Sequence, residues 1–154
     1  KSILLFLLPV VVMPLLAGCG DAYQSQISRL AEQYNSARDV VDQTIQAADS
    51  TSTLSGGIKV ATQGVSDLER VIDEMNDAYK DFGNQIGPSK YQDHQQATLS
   101  AWRAGIEAST AIKLYLELVL AGEPDESIVL GANRLFAEED RYQLEARRAL
   151  RAAR

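Results

Sequence analysis

Nucleophiles, bases and soft metal ligands are scarce in this chain of 154 residues, which holds one cysteine, Cys19, and one histidine, His94. Far apart in sequence, they leave a disulfide within one chain, a CxxC motif, a structural zinc site and a Cys/His catalytic pair without raw material. A di-iron centre in a helical bundle needs a Glu-x-x-His from each of two helices. Here the residue three before His94 is Tyr91, and His94, between Asp93 and Gln95, reads as a solvated surface residue. Acids are plentiful: Glu69, Asp73, Asp77 and Asp81 follow one another at i+4 spacing, with Asp67 and Glu74 nearby. Such a ridge could chelate a divalent cation or meet a basic partner. Calcium loops fold oxygen ligands around the ion, however, and a straight helix cannot do so. The ridge therefore reads as a solvated face partly neutralised by Arg70 and Lys80, and Glu138, Glu139 and Asp140 read as surface too. With no nucleophile beside a base, the expectation is a non-enzyme with no catalytic residue, no metal ligand and no cofactor.

What remains chemically distinctive about Cys19 is its setting. Lys1 and Ser2 precede an apolar run, Ile3 to Leu16, and continuing through Ala17 and Gly18 gives 16 uncharged residues. That is short of the roughly 20 a membrane-spanning helix needs, and Pro9 and Pro14 disfavour a regular helix. It has the form of the hydrophobic region of a secretory signal peptide. At its end stands Leu16-Ala17-Gly18-Cys19, and over these first nineteen residues the chain resembles bacterial lipoproteins, whose lipobox has this form. The resemblance implies that the Cys19 thiol receives a diacylglyceryl group and that a peptidase cuts between Gly18 and Cys19. It also implies that the new amine can be acylated. Small residues at 17 and 18 suit an extended backbone in a narrow protease site, and a thiolate is the nucleophile able to take the lipid. Two or three acyl chains, at about 0.8 kcal/mol per buried methylene, make a stable anchor. The expected location is the bacterial cell envelope, membrane-anchored and facing the periplasm or the exterior. Gly20 rather than an acid follows the cysteine, which leaves the choice of membrane open.

The elements that must carry any further function are helical. Beyond Cys19, apolar residues recur at spacings of three and four. One series is Ile27, Leu30, Tyr34, Ala37, Val41, Thr44 and Ala48. A second is Ile58, Ala61, Val65, Leu68, Ile72, Met75, Tyr79 and Phe82. Tyr91, Gln95, Leu99, Trp102, Ile106, Ser109, Ile112 and Leu116 trace a third; Ile128, Ala132, Leu135, Tyr142, Ala146, Ala149 and Ala153 a fourth. The breaks are Ser50 to Gly57, then Gly83 to Pro88, then Gly122-Glu123-Pro124-Asp125-Glu126. In the last, Gly122 suits a left-handed helix terminus, Pro124 a first helical position, and the acids the positive end of the next dipole. The predicted helices are 22–49, 58–83, 89–121 and 125–153. The predicted fold is all-α: a signal peptide over 1–18, a lipidated tether over 19–25, and an up-down-up-down four-helix bundle over 26–154. The same seams would also suit an extended coiled-coil dimer, but the short, turn-rich breaks favour packing within one chain. Oligomeric state is left open.

Charge is polarised along the chain. The formal net charge is -6, and Asp21 to Ile86 carries 11 acids and 5 bases, whereas Arg141 to Arg154 carries 5 arginines against Glu145 alone. Overall acidity argues against nucleic acid as a partner. Arg147, Arg148, Arg151 and Arg154, at the end of the fourth helix, are candidates for contact with anionic headgroups, at about 1 kcal/mol each, or simple complements of the helix dipole. The stretch Ile112 to Leu120 is apolar around most of the helix circumference, interrupted by Lys113 and Glu117. It is either deeply covered or an exposed patch. With Cys19 at the membrane, Ile112, Leu116, Val119 and Leu120, together with Ile128, Val129 and Leu130, would lie at the far tip. The leading expectation is thus a non-catalytic lipid-anchored scaffold or accessory subunit docking an envelope protein. The alternative is a binding module whose helices enclose a small apolar ligand against Trp102.

Overall fold

The computed structural model describes residues 22–154. They form α1 (Ala22–Asp49), α2 (Leu54–Gly83), α3 (Gln92–Ala121) and α4 (Glu126–Ala152), with a short 3-10 turn, Ser89–Tyr91, leading into α3. Among the described residues there is no strand, and no helix is long and apolar enough to cross a membrane. Each helix has 27 to 30 residues, which at 1.5 Å per residue makes rods of roughly 40–45 Å. The described chain is all-helical and compatible with a helical bundle.

Local chemistry sets the helix ends. α2 starts at Leu54, four residues before the expected 58, because Thr53 has extended backbone and its hydroxyl accepts from the Gly56 amide at 3.1 Å. That bond satisfies a first-turn donor, so the serine and glycines are recruited into the helix despite their low propensity. α3 ends at Gly122, φ 80°, where the Gly122 amide donates to Val119 O and the Glu123 amide to Leu118 O, the paired bonds of a Schellman terminus. Pro124 lies just outside α4, not at its first position. Asp125 is the cap, its carboxylate accepting from the Ser127 amide at 2.9 Å.

Consecutive helices run antiparallel. Gln33 donates to the carbonyl of Glu74, while further along α1 Thr44 faces Gly64. Phe82 meets Trp102 and His94, while Gly64 meets Leu116. α4 lies chiefly on α3 and reaches α1 through long polar side chains. The core runs through Leu30, Tyr34, Val41 and Ile45 of α1, Leu68, Val71, Met75 and Phe82 of α2, and Trp102, Ile112 and Leu116 of α3.

In α2 the buried stripe is Ala61, Gly64, Leu68, Val71, Met75, Ala78 and Phe82. It is rotated from the expected one, leaving Ile58 half exposed and Val65, Ile72 and Tyr79 partly so. The cause is close approach. A Cβ at Gly64 would stand 2.8 Å from Thr44 Cγ2 and 2.9 Å from Leu116 Cδ1, so three helices converge where one has no side chain.

Candidate functional site

The antiparallel order sorts the connections onto two ends. The start of α1 and the α2–α3 connection share one end; the α1–α2 and α3–α4 connections share the other, about 40 Å away. Of the residues expected to form an apolar tip at that far end, Ile112, Leu116 and Val129 are each only 4% exposed. They belong to the interior, which corrects their reading as surface contacts: their faces of α3 and α4 are turned to neighbouring helices. Val119 and Ile128 are half-buried, and Leu120 and Leu130 are exposed. Of the five exposed large apolar residues outside the expected set among the described residues, Leu54, Ile58 and Leu114 lie toward this end, and Ile86 and Leu144 toward the other. The register that sets Gly64 beside Leu116 brings Ile58 within about a turn of Leu120, and the one that sets Gly105 beside Glu139 brings Leu114 level with Leu130. Exposed leucines and isoleucine thus share this end of the bundle, on α2, α3 and α4. Lys113 and Glu117, paired at 2.8 Å, stand beside them.

Toward the opposite end, α4 carries Arg148, Arg151 and Arg154 exposed and Arg147 half-buried. Leu16, Ala17, Gly18 and Cys19, with the whole signal segment, lie outside the described residues.

A buried polar cluster lies between the ends. Glu139, read from sequence as surface, is 2% exposed. One of its oxygens accepts from the Tyr34 hydroxyl at 2.8 Å and the other from Arg38 Nε at 3.1 Å. Arg38 also pairs with Asp42 one turn on, and lies 4.1 Å over the ring of Phe136. Burial pushes Glu139 above the ordinary carboxylate range, and the Arg38 guanidinium and Tyr34 hydroxyl pull it partway back. For Arg38, burial works against the charge, yet Glu139 and Asp42 more than offset it and raise its pKa. Tyr34 is held well above its usual value by burial and then by Glu139, so it is a hydrogen-bond donor and no nucleophile. Gly105 makes room: a Cβ there would collide with the Tyr34 hydroxyl and the Glu139 carboxylate. The arrangement ties α1 to α4 across α3 and offers no acid–base pair to a substrate. One sequence signal marked it. The apolar series of α4 steps from Leu135 to Tyr142, and Glu139 occupies the skipped seam position.

His94 is likewise interior, 1% exposed, its ring edge-on to Phe82 at 6.4 Å, which corrects its reading as solvated. It begins the inward face of α3, between the buried Tyr91 of the preceding 3-10 turn and the buried Thr98. Among the described residues neither ring nitrogen has a hydrogen-bond partner, and burial lowers its pKa. It borders a cleft between α1 and α4 that Asn35, Thr98, Trp102 and Gln143 also line. The cleft holds about 20 Å³, room for a water rather than an apolar ligand. Trp102 itself is stacked on Tyr34 at 4.6 Å and packs on Phe82 at 5.1 Å.

The acidic ridge Glu69, Asp73, Asp77 and Asp81 lies on the exposed side of α2, beside the Arg70–Glu74 pair. Among the described residues no group of three or more His, Cys, Asp or Glu is placed to hold a metal ion. No protein-family model matches the chain, and no curated protein or solved structure does so either.

Proposed function

We propose that this protein is a non-catalytic, lipid-anchored component of a bacterial envelope, an up-down-up-down bundle that docks a partner protein at its membrane-distal end. A diacylglyceryl group on Cys19, after removal of residues 1–18, would hold the start of α1 at the bilayer. The bundle would then lift the partner-binding end about 40 Å from the surface. The observation that carries the reading is the exposure of Leu54, Ile58, Leu114, Leu120 and Leu130 at the end opposite the start of α1. Several large apolar side chains left in water at one end mark a contact surface. The core favours a scaffold over an enzyme: its charges are paired with one another, as in Arg38–Glu139.

The test is capture from membranes with full-length, affinity-tagged protein, comparing the natural chain with Leu120→Asp/Leu130→Asp. Both side chains are exposed, so the variant keeps its core. A partner recovered with the natural chain and reduced about tenfold or more with the variant, at unchanged Tm, is the expected result. Equal recovery refutes docking at this end. Intact mass of the same preparation, beside a Cys19→Ser control, tests the anchor: the expected product lacks residues 1–18 and gains acyl chains.

A further inference from the structure

At the other end of the bundle the α2–α3 connection holds the most exposed large apolar residue described: Ile86, 100% exposed. The connection is braced. The Gln95 side-chain amide donates to the carbonyls of Phe82 and Gln85, both at 2.9 Å, and the Tyr91 amide donates to Pro88 O. The ring of Tyr23, in the first turn of α1, lies so close to Gly87 that any Cβ there would enter it. Tyr23 also stacks on Tyr91 at 5.4 Å, and Gln24 donates to the Tyr91 hydroxyl at 2.7 Å. Ile86 is therefore presented by a loop clamped to the first turn of α1, next to the residue that clamps it.

Covalent geometry adds a bound. Three peptide steps separate Cys19 from Ala22, so their Cα atoms are at most about 11 Å apart. Whatever surface holds Cys19 is within reach of the clamped loop. Charge suits the same surface: Lys90 follows the loop, and the register that lines one cleft with Ile27, Thr98 and Ala146 brings the rest of α4, with Arg148, Arg151 and Arg154, level with the first turn of α1. Among the described residues Asp81, Asp93 and Glu145 are the exposed acids near this end, and Asp21 directly precedes α1 in sequence, so the bases Lys90, Arg148, Arg151 and Arg154 are at least matched in number there, although the chain is acidic overall.

We propose that the α2–α3 loop is a second membrane contact. Ile86 enters the interfacial region of the bilayer, and Lys90 and the α4 arginines lie at the level of anionic headgroups. This rests on the lipid anchor proposed above and adds what acyl chains on a short tether do not supply, a fixed orientation. With one point of attachment the bundle swings about its tether; with two, its long axis stands up and its far end is held off the surface.

The test uses the full-length protein with Ile86→Cys, and separately Leu130→Cys, each new thiol carrying an environment-sensitive dye while the Cys19 sulfur is blocked by its thioether. Both are placed in vesicles of phosphatidylethanolamine and phosphatidylglycerol, and the intact mass of each sample is recorded. In acylated protein, the dye at 86 should shift to the blue and be quenched by nitroxide-labelled lipid several-fold more than the dye at 130. A dye at 86 that behaves like the one at 130 in acylated protein overturns the loop contact and leaves the anchor standing. A mass without acyl chains overturns the anchor, and this placement of the loop with it. Both positions are exposed, so neither substitution removes a core contact.

Discussion

Replacing Arg38 by Met should be among the most damaging single changes that leave the chain's shape intact. Arg38 and Glu139 side chains are 8% and 3% exposed, so methionine keeps much of the packing over Phe136 while stranding the Glu139 carboxylate with only the Tyr34 hydroxyl. Removing one partner of a buried ion pair costs about 3–5 kcal/mol, because the remaining charge has lost both water and counter-charge. At roughly 3–5 °C per kcal/mol for a domain of this size, Tm should fall by about 10–20 °C at pH 7. The loss should depend on pH with a definite sign. Burial already raises the Glu139 pKa, and without Arg38 it rises further. The folded variant then binds more protons than the unfolded chain, so its stability increases as pH falls from 7 toward the ordinary glutamate value, by at most about 1.4 kcal/mol per pH unit. The double variant Arg38→Met/Glu139→Leu removes both charges of this pair and should recover part of the loss, since apolar replacement of a buried pair is often neutral or stabilising, while Asp42, 16% exposed, still lacks Arg38. Thermal unfolding of the detergent-solubilised protein, followed by far-UV circular dichroism between pH 5 and 8, reads all three. A single-variant cost under about 1 kcal/mol at pH 7 would refute the interior charge pair, given what such a pair costs to break; so would a double variant no more stable than the single one.

Two glycines within helices should respond oppositely to alanine. Gly131→Ala, with nothing within 4 Å of its new methyl, should gain about 0.5–1 kcal/mol from helix propensity. Gly105→Ala, whose methyl would collide with Tyr34 and Glu139, should instead lose about 2 kcal/mol or more; urea unfolding decides both, and a stabilised Gly105→Ala would contradict the packing. Gly64→Val should lower Tm more than Gly131→Val, because Thr44 and Leu116 occupy the space its side chain needs; equal shifts would mean that α1, α2 and α3 do not converge there. Burial lowers the His94 pKa, so its neutral form favours folding: that stability is present above about pH 6.5 and is lost as pH falls through the folded-state pKa. Subtracting the Tm–pH curve of His94→Leu from that of the natural chain should expose this acid-side loss, and parallel curves would place His94 in solvent.

The sequence alone determined what is local. Apolar spacing of three and four specifies helices, because one face must leave water whatever it packs against. Thr53, Gly122 and Asp125 end or begin them through bonds made within a few residues. The Leu-Ala-Gly-Cys motif and the polarised charge are equally readable, since both are linear features of the chain. Tertiary structure decided which side of each apolar stripe faces inward. α2 is turned toward Ala61, Gly64 and Ala78 because small residues let three helices approach closely, and that depends on Thr44 and Leu116, distant in sequence. Tertiary structure also decided that Glu139 and His94 are interior. A carboxylate's burial follows from whether an arginine stands opposite, and Arg38 is 101 residues away. In the same way, Ile86 is only a loop residue until Tyr23 closes on Gly87 and clamps it beside the start of α1. Periodicity acts through a residue's own helix, whereas burial, pairing and display are properties of what the fold brings against it.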